Sequence, residues 1–345
     1  MPVALVTGGS GFLGSLLVAK LLEDGWTCTN IDLQPSELSH PRLLSIQGDI
    51  RNDTDMRMCF ASSKPDVVFH CAAILAHGSS DDSFLWTSNV DGTRSLVEHA
   101  RANKVGKLVF TSSNCLWGDP LHRPVREDDE PRPAELYGRS KWEGEKILER
   151  AREFMDVTVF RCPTIIDAGR LGLLTILFEF IAENRRVWVV GSGDNRYQFI
   201  YAPDLIDGML RGAAMSGSGL FGIGSDRVMT LREIYSHVIR ESGSSSEVAS
   251  LPRGLSLLGM KAAYRFGVSP LGPYHYKMIA EDFEFDTSLI KSRLRWAPTF
   301  TNEQMLLRAY QYWKAHRAEI ASRRAASAHR QPAKMGVIRA LKWVS

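Results

Sequence analysis

The sequence predicts an α/β fold: a doubly wound parallel sheet followed by a smaller, mixed α/β lobe. Three observations predict it. Short β-rich runs alternate with helix-forming segments through the first 163 residues, and such alternation specifies a parallel sheet with right-handed crossovers. A glycine-rich turn separates the first run from the first helix, the arrangement that lets backbone approach a phosphate at a helix N-terminus. After Pro163 the alternation becomes irregular, which marks the second lobe.

Taken in order, the predicted strands are VALVT (3–7), TCTNID (27–32), LLSIQ (43–47), DVVFH (66–70), KLVFTS (107–112) and DVTVFR (156–161). Between them, apolar residues recur at helical spacing over 11–25, near 52–62, over 84–103 and over 134–154. Beyond Pro163 the sequence reads as a helix near 171–184, a strand RVWVV, a strand-then-helix segment YQFIYAPDLIDGMLRGAA, and further helices to 315. The expected division is therefore a Rossmann-type domain over 1–163, a second lobe over 164–315 with some segments returning to the first sheet, and a tail over 316–345.

With 345 residues, 44% hydrophobic and 23% charged, the chain is long enough to bury a full core and is neither fibrous nor disordered in composition. Its five cysteines (Cys28, Cys59, Cys71, Cys115, Cys162) are far apart, with no CxxC, so no metal is assigned and a reducing cytoplasm is expected. The start, MPVALVTGG, lacks a basic leader, and the longest apolar stretch, 173–182, is broken by Glu179 and far short of a membrane span. The net charge of +3 is uneven: residues 314–345 carry eight basic side chains against one acidic, +7, leaving −4 for the rest. The basic end has no nucleic-acid module, and no nucleic-acid partner is expected.

In TGGSGFLG, Gly8, Gly11 and Gly14 are spaced by three, and Asp32 stands 18 residues beyond Gly14 at the end of the second strand. A carboxylate there can accept from both ribose hydroxyls of an adenosine and repels a 2′-phosphate, so the expected cofactor is NAD rather than NADP. Tyr137 and Lys141, in YGRSK, are four apart and share a helix face, where a cation favours phenolate over phenol. The same spacing at Tyr310 and Lys314 reads as an amphipathic surface helix; only Tyr137 follows the fifth strand, whose end carries Ser113. His70 reads as a packed residue, His77 as a loop residue, and Glu127 to Glu130 (EDDE) as a solvated loop.

The ordered set TGGSGFLG, Asp32, GDI (48–50), HCAA (70–73), NVDGT (89–93), TSSNCLWG, YGRSK, RCP (161–163) and QFIYAPDL with Asp204 resembles the extended short-chain dehydrogenase/reductases, the NAD-dependent sugar-nucleotide epimerases and dehydratases, over about residues 1–315. The resemblance implies that Gly8, Gly11, Phe12, Leu13 and Gly14 form the pyrophosphate turn. It also implies that Asp49 and Ile50 border the adenine, that Cys71, Ala72, Ala73 and Pro163 line the dinucleotide cleft, and that Asn89 braces the helix ahead of the site. Ser113, Tyr137 and Lys141 are the implied catalytic residues; Tyr137, Lys141 (on the ribose) and Asn89 also count among the cofactor-binding residues, and Ser113 and Asn114 face the substrate, while Arg196, in NRYQF, reads as a candidate diphosphate ligand or equally as a solvated loop arginine. A homodimer through helices 84–103 and 134–154 is implied as well.

The chain departs from that pattern on the substrate side. Trp117 stands where a tyrosine is usual, TIIDA (164–168) replaces a stretch ending in Tyr-Gly-Pro, and the Arg-x-Gly-Asp region reads GPYHYKMIAEDFEFDTS, with His275 and Lys277 but no arginine until Arg293. A second reading follows: LPRGLSLLGMKAAYRFG and YHYKMIAEDFEFDTS are similar to parts of the 3β-hydroxysteroid and sterol-carboxylate dehydrogenases, and in the tail Val337, Ile338, Leu341 and Val344 share a helical face with Arg339 and Lys342 off it, a pattern suited to peripheral contact with an anionic membrane. A third reading, a non-catalytic NAD-binding regulator, is opposed by the intact Ser113, Tyr137 and Lys141.

Overall fold

A computed structural model of the chain describes residues 1–75, 81–266 and 273–322. His77, the side chains of His275 and Lys277, and the tail from 323 onward, with its proposed membrane-facing residues, lie outside the described residues.

In chain order the elements of the first half are β1 (Val3–Thr7), α1 (Phe12–Glu23), β2 (Thr27–Asp32), β3 (Leu43–Gln47), α2 (Asp53–Ser63), β4 (Val67–His70), α3 (Asp82–Trp86), a π-helical turn (Thr87–Asp91), α4 (Gly92–Ala102), β5 (Lys107–Ser113), α5 (Leu136–Ala151) and β6 (Asp156–Cys162). There follow β7 (Thr164–Ile166), α6 (Leu174–Ala182), β8 (Val187–Val190), β9 (Phe199–Tyr201), α7 (Ala202–Ala214), β10 (Gly219–Gly222), α8 (Leu231–Ser242) and β11 (Val248–Leu251). The last helices are α9 (Arg253–Arg265), α10 (Pro273–Ala280), α11 (Ser288–Leu294), α12 (Asn302–Ala315) and α13 (Arg317–Ser322).

Seven strands form one sheet in the order β10-β6-β5-β4-β1-β2-β3, every pair parallel. The order reverses between β1 and β4, and in such sheets ligands bind at the carboxyl ends of the strands flanking that reversal. The strands are apolar on both faces because both are covered. On one face, Leu17 and Leu21 of α1 meet Leu205 and Met209 of α7 and Trp296; on the other, Met56, Phe60, Leu96 and Leu148 of α2, α4 and α5 fill the gap. A separate core built on Phe178, Tyr310 and Trp313 holds the elements after β6 together, with β7 paired to β9 and β8 to β11. Tyr310 is thus a core side chain, 1% exposed, rather than part of a surface face.

Helix ends follow the sequence. Asn52 and Asp81 cap α2 and α3, each accepting from two backbone N–H groups, and Thr230 and Thr301 form capping boxes with Glu233 and Gln304. The one expected helix over 84–103 is interrupted by the π-helical turn at Thr87–Asp91. The extra residue turns Asn89 inward, where its amide bonds both the N–H and the carbonyl of Ile74. Such turns inside helices mark functional sites often enough that the placement is informative.

Candidate active site

The turn between β1 and α1 is held by close backbone packing that only glycine permits at two positions. Gly8 has φ +73°, and a Cβ there would lie 2.6 Å from Ala72 N; a Cβ at Gly14 would lie 2.1 Å from the Gly8 carbonyl oxygen. Gly11 caps α1 with no side-chain hydrogen bond and no acidic residue in the first turn, so the positive end of the helix faces the cleft uncompensated. Phe12 and Leu13 are buried, with Leu13 in the core under the sheet, so these two residues face the cleft through their backbone rather than their side chains.

Asp32 ends β2 beside this turn. One carboxylate oxygen accepts from Ser10 N–H at 3.0 Å and the other from Gln34 N–H at 2.9 Å. Each oxygen retains a lone pair for a ribose hydroxyl. Asp49 is differently occupied: burial opposes its charge, but the hydrogen bonds and charge of Arg51, 2.6 Å away, win and hold its carboxyl below the ordinary range. Ile50 is buried and wedged against Gly92, where a Cβ would come within 2.6 Å of it. The segment after β4 lines the other wall: Cys71 N–H donates to the Thr7 carbonyl and Ala72 N–H to the Thr7 hydroxyl, and Ala73 follows, half-buried. Pro163, buried, follows β6 further along the strand ends.

Ser113 is the last residue of β5, and its hydroxyl oxygen accepts from Cys115 N–H at 3.1 Å. A Cβ on Gly138 would lie 2.2 Å from the Cys115 carbonyl oxygen, so α5 lies directly on the loop after Ser113. That contact sets the first turn of α5, with half-buried Tyr137, against the loop that follows Ser113. A sequence of side chains fixes the helix: Asn89 donates to the Ser140 hydroxyl at 3.0 Å, and Ser140 donates to the Tyr137 carbonyl at 2.8 Å. The Asn89 amide thus ties the π-helical turn to Ile74 after β4 and to Ser140 on α5.

Lys141, one turn on, is 4% exposed, with its ammonium 4.0 Å from the centre of the Phe110 ring. Burial lowers its pKa to about 8, against the opposing influence of the surrounding cysteines and of Glu145. Below it, Glu145 and Arg161 form a buried ion pair at 2.8 Å, and Ser112 donates to the same carboxylate. His70 is packed as expected: its ring bonds the hydroxyls of Thr7 and Thr93 and stacks on Phe110, and burial lowers its pKa to about 3, so it stays neutral. The EDDE run is only partly solvated. Glu127 accepts from Gly222 N–H and burial raises its pKa, and Asp129 pairs with Arg123.

On the substrate side Asn114 is buried and donates to the Tyr197 hydroxyl, and the two line a cleft with Cys115, Trp117 and Phe283. Arg196 is exposed, and its guanidinium donates to the Val228 carbonyl. The structure therefore brings Ser113, Asn114, Tyr137 and Lys141 together and engages the Arg196 guanidinium in the second lobe. Sequence reasoning missed Ser140, Glu145 and Tyr197. Tyr197 stands two residues before β9 and immediately ahead of the QFIYAPDL segment that was singled out for Asp204, and that adjacency is the one signal that could have found it; Asp204 itself is buried against Thr299.

The open helix cap, the acceptors of Asp32 and the buried cation of Lys141 fit a dinucleotide laid across the strand ends. Among the described residues no cluster of His, Cys, Asp or Glu is grouped to hold a metal ion, and no helix is long and apolar enough to cross a membrane.

The family model described as "NAD dependent epimerase/dehydratase family" matches residues 4–223. A Sinorhizobium fredii protein, y4nG, described as uncharacterized, is 36% identical over 342 residues, covering 99% of this chain and 85% of its own. A UDP-glucose 4-epimerase of Mycolicibacterium smegmatis is 31% identical over 266 residues, covering 70% of this chain and 83% of its own. Among solved structures, the UDP-glucose 4-epimerase of Thermotoga maritima with UDP-glucose superposes with a TM-score of 0.75 at 23% identity, covering 90% of this chain and 98% of its own, a likeness of fold. Sequence, sheet order and the arrangement at the strand ends converge on one conclusion: the chain belongs to the NAD dependent epimerase/dehydratase family of enzymes.

Proposed function

We propose that the protein interconverts nucleoside-diphosphate sugars by epimerisation at C4, with NAD held in the cleft and Tyr137 as the base. The observation that carries this reading is Lys141: a buried ammonium 4.0 Å from the centre of the Phe110 ring, one helical turn from Tyr137 on the helix that packs on the loop after Ser113. A cation so placed lowers the cost of phenolate, turning Tyr137 from a weak base into one able to take the proton of a sugar hydroxyl. Bound NAD supplies a hydride acceptor that later returns the hydride to the same carbon. Ser113, its oxygen held by Cys115 N–H, turns its own hydrogen to the reacting oxygen and steadies the charge that develops there. Tyr137 then returns the proton. Asn114 and Tyr197 face the sugar from the wall that they line together. The M. smegmatis and T. maritima relatives, both UDP-glucose 4-epimerases, favour a uridine nucleotide and epimerisation over dehydration.

The active form is proposed to be a homodimer through α3–α4 and α5; a monomeric mass in light scattering overturns that part. The substrate class is tested by thermal unfolding with NAD present, across UDP, dTDP, GDP, CDP and ADP. A ligand at 100 times its Kd adds about 2.7 kcal/mol. A rise in Tm with UDP alone supports the reading; no rise with any of the five contradicts it.

A further inference from the structure

Helix α9 is 13 residues long and has no buried residue. Its solvent face is apolar rather than polar: Leu255 is 73% exposed, Leu258 67% and Phe266, at its C-cap, 77%. These residues and the exposed Ala262 follow the spacing i, i+3, i+7, i+11 and so form one stripe along a helix about 20 Å long. Lys261 and Arg265 run along one edge of the stripe, and residues 253–266 contain no acidic side chain. On its opposite side the helix is anchored: Arg253 pairs with Glu281 at 2.7 Å, and the ring of Tyr264 meets that of Tyr276 on α10 edge-on. Glu281 also lines the cleft beside Asn114 and Tyr197.

We infer that the exposed face of α9 docks on an anionic lipid bilayer. A helix with large apolar residues on one face, basic residues at its border and no acidic ones is built to lie in the headgroup region, where burial of the stripe and attraction of Lys261 and Arg265 to acidic lipid add. The sequence from 323 to 345 carries six basic and no acidic residues, matching the same charged surface. A second protein copy fits the stripe less well, since a stable interface takes about 20–30 residues a side and the stripe offers four. Docking there sets a bilayer one ion pair away from the cleft.

The test is flotation of the full chain with vesicles of phosphatidylcholine alone and of phosphatidylcholine with phosphatidylglycerol, comparing the natural sequence with a Leu255→Ser/Leu258→Ser/Phe266→Ser variant. Unchanged Tm in the variant shows that the fold is kept. The expected result is binding to the anionic vesicles only, with affinity reduced about tenfold or more in the variant, as loss of partial burial of three large side chains implies. Absence of binding by the natural sequence, or equal binding by the variant, overturns the inference. So does a vesicle-independent dimer that the variant abolishes, since it assigns the stripe to a second copy.

Discussion

Replacing Glu145 by alanine removes one half of a pair in which Glu145 is 6% and Arg161 3% exposed. The guanidinium donates to both carboxylate oxygens, at 2.8 Å through its nearer terminal nitrogen and 3.2 Å through Nε, and the Ser112 hydroxyl donates to the same group. After truncation Arg161 keeps only the Glu127 carbonyl and the face of Trp117. A buried charge left in that state costs about 3–5 kcal/mol, because desolvation persists while the attraction that offset it is gone. An exposed pair gives the contrast: Lys20 and Asp24, 44% and 36% exposed, should contribute about 0.2–1 kcal/mol, so Asp24→Asn is expected to be nearly silent. Urea unfolding followed by far-UV circular dichroism measures both. A Glu145→Leu/Arg161→Met double variant should recover much of the loss, since two apolar side chains leave no charge unpaired. If Glu145→Ala costs under about 1 kcal/mol, or no more than Asp24→Asn, the reasoning that this pair is a desolvated electrostatic unit fails.

Three further predictions concern the cofactor turn and the ammonium. Asp32→Asn weakens the charge-assisted acceptors offered to the ribose and should lower NAD affinity by about ten- to a hundredfold, or roughly 1.5–3 kcal/mol, while narrowing discrimination against NADP; calorimetric titration with both nucleotides checks it. Gly14→Ala drives a Cβ to 2.1 Å from the Gly8 carbonyl and should cost about 1–3 kcal/mol together with NAD binding, whereas Gly106→Ala, with nothing within 4 Å, should leave stability unchanged or slightly raised, as read from paired thermal melts. Lys141 has a pKa lowered from 10.5 to about 8, so turnover that needs the ammonium should persist below about 8 and fall as pH rises through it. Its effect on stability runs the other way: the unfolded chain holds the proton up to about 10.5 and the native one only to about 8, so this group's contribution to native stability rises with pH across that window.

Much of the first domain was legible because local patterns and global topology agree there. The β1 run, the glycine turn and Asp32 each carry a separate physical reason for their place, and the sheet order follows from parallel strands with helical crossovers. Tyr137 and Lys141 were legible for the same reason, four apart on a helix that follows the strand ending in Ser113. Other features depend on tertiary contacts that no spacing reveals. Helical periodicity by itself does not distinguish Asn89, which only the family resemblance singled out, and its partners Ile74 and Ser140 emerge with the π-helical turn. Tyr310 has the same four-residue spacing to a lysine as Tyr137, and only the packing of Phe178 and Trp313 shows that it belongs to a core. Arg196 looks available in the sequence, yet its guanidinium is engaged with the Val228 carbonyl. The exposed stripe on α9 was invisible as such, because an apolar run in a sequence does not say which face the rest of the chain will cover.

The central claim, that Tyr137 and its neighbours epimerise a nucleoside-diphosphate sugar, is tested most directly by incubating the purified protein and NAD with UDP-glucose and following UDP-galactose by nuclear magnetic resonance, with Tyr137→Phe as the comparison. The account predicts formation of the C4 epimer with no net consumption of NAD, and loss of turnover by at least a hundredfold in Tyr137→Phe with NAD binding retained, in keeping with the removal of a general base. Formation of the epimer at an undiminished rate by Tyr137→Phe, or no conversion of UDP-glucose by a natural protein that binds both NAD and UDP, would contradict it.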